Sequence, residues 1–227
     1  MSSLTIGRLN EQPLHAALKA RYARPDDPLE VPVDGFVIDV VRDDLLIEIQ
    51  TGNFSSIKRK LRTLVRAHPV LLVYPIPYEK WLLKLPKEEG GATKRRKSPK
   101  RGTVEEVFAE LVSFPRLLAE PTFSLDVLLT QEEEVRRYVG PHAWRLHGWV
   151  VEERRLLDVV ARHRFETPAD LDALLPADLP APFTTADLAK ALDQSRRLAQ
   201  QMAYCLRKVG VITEVGRRGR SILYAYP

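Results

Sequence analysis

A single cysteine, Cys205, stands in 227 residues. That scarcity excludes an intramolecular disulfide and a cysteine-based zinc cluster. Cys205 falls on the apolar side of a predicted helix, where a small buried hydrophobe is the expected role rather than a nucleophile. The five histidines show no metal-ligand spacing, and His15 reads as a half-buried spacer on a helix. No apolar run reaches the length of a membrane span, and the N-terminus lacks a signal-peptide pattern. The expectation is a cytoplasmic location without a membrane partner. No internal repeat is present.

Acid is scarce in two places. Residues 84–101 carry eight Lys or Arg against two Glu, and residues 195–227 carry seven against one. The overall balance is only +5, so this local excess is the informative quantity. Basic surface of that kind favours a polyanionic partner, and a solvated face is the competing explanation.

What the chain does carry is a pair of apolar, β-branched runs, Phe36–Val41 and Leu45–Gln50, joined by the charged turn Arg42–Asp44. The pattern predicts an antiparallel hairpin, with Val31–Val33 as a strand before it. Each run holds one carboxylate, Asp39 and Glu48. Burying a carboxylate in such a strand is costly unless a partner, most often a metal ion, compensates. Strand alternation puts Glu48 and Gln50 on one face and Ile47 and Ile49 on the other.

The surrounding pattern alternates helix and strand. Residues 9–22 predict a helix, with Asn10 as N-cap and Glu11 near its start. Asn53 or Ser55 caps a second helix over about 55–67, whose apolar stripe is Ile57, Leu61, Leu64 and Val65. Val70–Tyr74 reads as a strand buried on both faces, and Tyr78–Leu85 as a separate strand. Residues 86–102 have the composition of a mobile basic loop; Lys94–Lys97 within it would serve as a phosphate clamp or merely solubilise. Thr103–Leu118 predicts a helix and Phe123–Leu129 a strand. The expected architecture is an α/β sandwich with a mixed sheet over residues 1–140.

From about residue 148 the pattern changes. Glu152–His163 predicts a helix, Thr184 or Thr185 caps another, and Ser195 caps a third ending at Val209. Val211–Val215 and Ser221–Tyr226 predict a hairpin around a Gly/Arg turn. Three helices and a hairpin describe a smaller second domain over residues 148–227.

Asp39 followed by Glu48-Ile49-Gln50, with a preceding helix carrying Glu11, resembles the PD-(D/E)XK nuclease superfamily over roughly residues 9–76. The resemblance implies a restriction-endonuclease-like fold. It implies that Asp39, Glu48 and the Ile49 carbonyl bind Mg2+ or Mn2+, with Glu11 assisting. The position two after the Glu is usually a lysine that orients or activates water. Here it is Gln50, as in some Glu-x-Gln branches of the superfamily, and Gln carries no charge. Lys58 and Lys60 flank the apolar stripe of the second helix on opposite sides, and either could supply the missing cation. The competing possibility makes Asp39 a hydrogen-bonded structural acid and Glu48 an ion-pair partner of Arg42 or Lys58.

The segment 186–226 resembles the winged helix family of DNA-binding modules. That resemblance places Arg196, Arg197, Gln200, Gln201, Tyr204 and Lys208 on the outward face of a groove-entering helix. Arg217, Arg218 and Arg220 fall on the wing, where phosphate contact is expected. The combined expectation is a metal-dependent DNA endonuclease, a homodimer if it cuts both strands. The alternatives are a catalytically inactive, nuclease-fold DNA-binding protein or regulator, and an assembly module.

Overall fold

A computed structural model describes residues 12–88, 91–143 and 147–227. The chain is an α/β protein with one large mixed sheet and helices. Three strands open that sheet: β1 (Leu29–Val33), β2 (Phe36–Arg42) and β3 (Leu45–Ile49). They form an antiparallel meander, with Val33 opposite Phe36 and Arg42 opposite Leu45. Strand β4 (Val70–Lys84) joins β3 in parallel through the helix α2 (Phe54–Leu64). Strand β5 (Lys94–Lys97) pairs antiparallel with the far end of β4, and β6 (Phe123–Tyr138) and β7 (Trp149–Phe165) complete the order β1-β2-β3-β4-β6-β7.

Contacts divide the chain into two units. One comprises Met1–Asp27, Pro75–Thr103 and Leu128–Arg162; the other comprises Pro28–Tyr74, Val104–Val127 and His163–Pro227. The first contains α1 (Pro13–Tyr22), which starts at a proline whose missing N–H would be unsatisfied there anyway. Asn10 and Glu11 lie outside the described residues. No helix among the described residues is long and apolar enough to cross a membrane.

Several expected elements take another form. The two strands expected over 70–85 are one, because Pro75 and Pro77 fall where few ladder bonds are needed. The β3 register ends at Val73 and the β5 register begins at Trp81. Residues 103–118 form a 3₁₀ turn (Val104–Val107) and the short helix α3 (Phe108–Leu111) rather than one long helix.

The basic loop is also partly a strand. Arg95 lies 2.7 Å from Glu133, Lys97 2.6 Å from Glu79 and Arg101 3.0 Å from Glu79. Lys97 and Arg95 additionally stand over the Trp81 ring. Part of their charge is thus answered within the protein, while all four side chains of β5 stay exposed.

The helix expected over Glu152–His163 is instead the long edge strand β7. Its Leu157 and Val160, expected to be buried, are 45% and 43% exposed. Valine pairs at 150–151 and 159–160 favour extended backbone, and the charged residues settle the choice. Arg154 meets the fully buried Glu132 at 2.8 Å, and Glu152 meets Arg137 at 3.1 Å.

Beyond β7, the second unit continues through α4 (Pro168–Asp172), α5 (Thr185–Ala191) and α6 (Arg196–Lys208) to the hairpin β8 (Thr213–Arg218) and β9 (Ser221–Ala225). Phe183 adds a single bridge to Tyr224 of β9. Helix α6 is capped as expected: the Ser195 hydroxyl accepts from the Leu198 N–H at 3.2 Å. Leu198, Met202, Cys205 and Leu206 form its buried stripe. Burial pushes the Cys205 thiol up to about 12, in keeping with an inert core residue.

Helix α5 opens on a reciprocal cap between Thr184 and Asp187. The Thr184 backbone N–H, then its hydroxyl, hold the Asp187 carboxyl below the ordinary aspartate range, with Arg218 and Arg196 adding to the effect. A depressed folded pKa contributes stability above the unfolded value of about 3.9, lost as pH falls through the folded value. Asp187→Asn should therefore flatten the acid limb of stability between about pH 5 and pH 2, measured by thermal denaturation. An acid limb identical to wild type would show the cap to be energetically idle.

Candidate functional site

The second unit brings two strand carboxylates together by register. Val40 pairs with Ile47 in the β2–β3 ladder, and the residues next along, Asp39 and Glu48, share the opposite face. The named ladder stops at that pair. Beyond it the Asp39 carboxylate, not a backbone carbonyl, accepts the Ile49 N–H at 2.8 Å. Glu48 is buried and Asp39 half-buried. Like charges facing each other across a strand pair repel, so a cation is required nearby.

Lys60 is that cation. Phe54, Leu61 and Leu64 turn inward from α2, which leaves Lys60 on the flank beside the hairpin. Its Nζ lies 2.5 Å from Glu48 Oε1 and donates to the Val37 carbonyl oxygen at 2.5 Å. Lys60 thus forms an ion pair with Glu48.

The start of α2 is fixed by packing. The Phe54 ring stacks on Phe114 at 5.2 Å and meets Tyr74 edge-on at 4.8 Å. Asn53 occupies the N-cap position in left-handed conformation, yet its side chain does not cap the helix. Glu110 of α3 does so from 56 residues away, accepting the Phe54 N–H at 2.8 Å. No local signal near α2 points to this acid. Glu110→Ala should cost about 1–2 kcal/mol in urea denaturation, the usual cost of a lost charged cap. A loss within error of zero would mean that water replaces it.

The remaining expected residues separate. The Gln50 amide donates to the carbonyls of Gly52 and Asn53, holding the turn into α2. Ile49 stays beside the pair, its N–H donating to Asp39. Glu11 lies outside the described residues. Lys58 sits apart from Glu48 and borders a cleft with Arg62, Arg66, Tyr204 and Lys208. Arg62 and Arg66 were missed by the sequence reasoning, although their i+4 and i+8 spacing from Lys58 was visible.

On α6, Arg196, Arg197, Gln200, Tyr204 and Lys208 are exposed and Gln201 is half-exposed. Arg217, Arg218 and Arg220 are exposed on and beside the hairpin. Arg218 approaches Asp187 at 3.8 Å, so part of its charge is answered within the protein.

Asp39 and Glu48 offer hard oxygen donors. Mg2+ commonly takes one or two protein carboxylates and completes its shell with water and substrate phosphate. The donor set fits that class of ion. Among the described residues no group of three or more His, Cys, Asp or Glu is placed to hold a metal by itself.

A family profile described as "Domain of unknown function (DUF8091)" matches residues 12–166. A protein of Treponema pallidum (strain Nichols), described as uncharacterized, is 29% identical over 231 residues, covering 97% of this chain and 87% of its own. No solved structure matches the chain.

Proposed function

The chain belongs to the DUF8091 family, and we propose that it is a divalent-metal-dependent DNA endonuclease of the PD-(D/E)XK kind. The observation that carries this is the convergence of Asp39, Glu48 and Lys60 at one point of the β2–β3 hairpin. Lys60 supplies from α2 the cation that Gln50 lacks.

Asp39 and Glu48, with the Ile49 carbonyl, would hold Mg2+ or Mn2+. A cation there supplies charge stabilisation to the phosphodiester and a lowered pKa to water. The Ile49 N–H orients the Asp39 carboxylate. Lys60, released from Glu48, would set its ammonium against the negative charge that grows on the phosphoryl oxygens. Water would attack phosphorus, forming a P–O bond and giving up a proton to solvent, while the P–O bond to the leaving oxygen breaks and that oxygen takes a proton from solvent.

Helices α4, α5 and α6 followed by the β8–β9 hairpin have the element order of a winged helix, with Phe183 as its short extra strand. In that arrangement Arg196, Arg197, Gln200 and Gln201 would address base edges, as Arg and Gln side chains can. Arg217, Arg218 and Arg220 would contact phosphate. Cutting both strands would take a homodimer.

The Lys60–Glu48 ion pair also favours a second reading. It neutralises the buried carboxylate without a metal, as a nuclease fold retained for DNA binding or regulation would require. Incubation with linear, nicked, branched and single-stranded DNA, in Mg2+ and in Mn2+, separates the two. Metal-dependent product supports the nuclease; no product on any substrate leaves the non-catalytic DNA-binding protein.

A further inference from the structure

Helix α2 and the turn that follows it carry a second set of cations, apart from the Glu48 pair. Lys58, Arg62 and Arg66 run in a line at helical spacing beside a cleft of about 550 Å³. Arg116, from the turn after α3, and Tyr204 and Lys208, from α6, complete the lining that matters. Glu120 is the one acid among the lining residues. A neighbouring hollow bordered by Arg59 and Thr63 continues the same basic surface around α2.

Several other cations are answered by acids of the protein. Arg95, Lys97, Arg101, Arg136 and Arg154 all meet a carboxylate within 4 Å. Among the described residues, Lys58, Arg62, Arg66 and Arg116 have no ion pair. Five positive groups gathered around one concavity with a single acid raise its potential and concentrate anions there. Tyr204 adds an aromatic surface that is 40% exposed, with the Lys208 ammonium 5.7 Å from the ring centroid. Cations along a groove with an exposed aromatic ring suit phosphate and a stacked base together. The volume lies in the range of small-ligand sites, about 300–1,000 Å³.

We propose that this cleft binds a phosphorylated nucleotide unit. Lys58, Arg62, Arg66 and Arg116 hold the phosphates and Tyr204 stacks on the base. The unit comes either from a free nucleotide or from an unpaired stretch of a nucleic-acid strand. The site is separate from Asp39, Glu48 and Lys60, and it stands whether or not those residues support cleavage.

The test uses the full chain in EDTA and fluorescence anisotropy, with a labelled oligothymidylate and a labelled ADP as probes. Saturable binding of either probe is expected, and the tighter one identifies the source. Arg62→Glu/Arg66→Glu should weaken binding at least about tenfold. Arg62→Gln/Arg66→Gln should give a smaller loss, with the unfolding temperature of both variants near wild type. Tyr204→Ala should weaken both probes about fivefold or more while leaving competition by pyrophosphate unchanged.

Absence of saturable binding, or full binding by the doubly charge-reversed variant, overturns the proposal. So does binding of both probes that is indifferent to Tyr204→Ala, since that describes a plain basic surface. Asp39→Asn should leave binding intact. Binding without cleavage therefore counts against the nuclease alone, and cleavage without cleft binding counts against the cleft alone.

Discussion

On the proposed nuclease reading, Glu48→Gln should abolish metal-dependent cleavage, lowering the rate by about 10³-fold or more, while the protein stays folded. Removing one charge-stabilising group from a preorganised site costs on the order of 10²–10³ in rate, and Glu48 would also lose its hold on the cation. Folding should suffer little. The amide keeps an acceptor for Lys60, and the repulsion between Asp39 and Glu48 disappears with the charge. Lys60→Met is the informative companion. It leaves two carboxylates facing each other across β2 and β3, so stability should fall in EDTA and be recovered by Mg2+. Wild type, with Glu48 already paired at 2.5 Å, should gain less unfolding temperature from the ion. A Lys60→Met protein that ignores Mg2+ would show that the two carboxylates do not form a cation site.

The largest effect on stability is expected at the β6–β7 pair. Glu132 is fully buried and lies 2.8 Å from Arg154, with the Thr130 hydroxyl donating to it at 2.8 Å. Arg154→Ala should cost about 3–5 kcal/mol in urea denaturation, the usual cost of removing one partner of a buried ion pair. Nearly all of that is the carboxylate left in low dielectric rather than the worth of the pair itself. Arg154→Met with Glu132→Leu should therefore recover much of the loss, because neither charge then remains to be desolvated. A single-variant loss below about 1 kcal/mol would mean that water reaches Glu132.

The same residues explain where the sequence was misleading. Glu152–His163 has apolar positions at helical spacing, and a periodicity count favours a helix. The deciding groups lie on another strand: Glu132 pairs with Arg154 and Arg137 with Glu152. No window along β7 contains that information. The basic loop misleads for the same reason, since Glu79 and Glu133 neutralise Arg95, Lys97 and Arg101 from β4 and β6. In contrast, α5 and α6 were legible because their caps, Thr184 and Ser195, act within a few residues of themselves.

By itself the sequence determined what depends on near neighbours. The β2–β3 hairpin, the amphipathic α2, the caps of the later helices and the inert Cys205 follow from alternation, helical period, local hydrogen bonding and scarcity. It also placed Glu48 and Gln50 on one face of their strand, through the two-residue strand period; the hairpin register then set Asp39 beside Glu48. Tertiary structure alone decided which cation answers them. Lys58 and Lys60 are equivalent on paper, but the packing of Phe54 against Phe114 and Tyr74 sets the rotation of α2. That rotation brings Lys60 to Glu48 and turns Lys58 toward Arg62, Arg66 and α6. The physical reason is distance along the chain: partners far apart in sequence find each other only through the packed core.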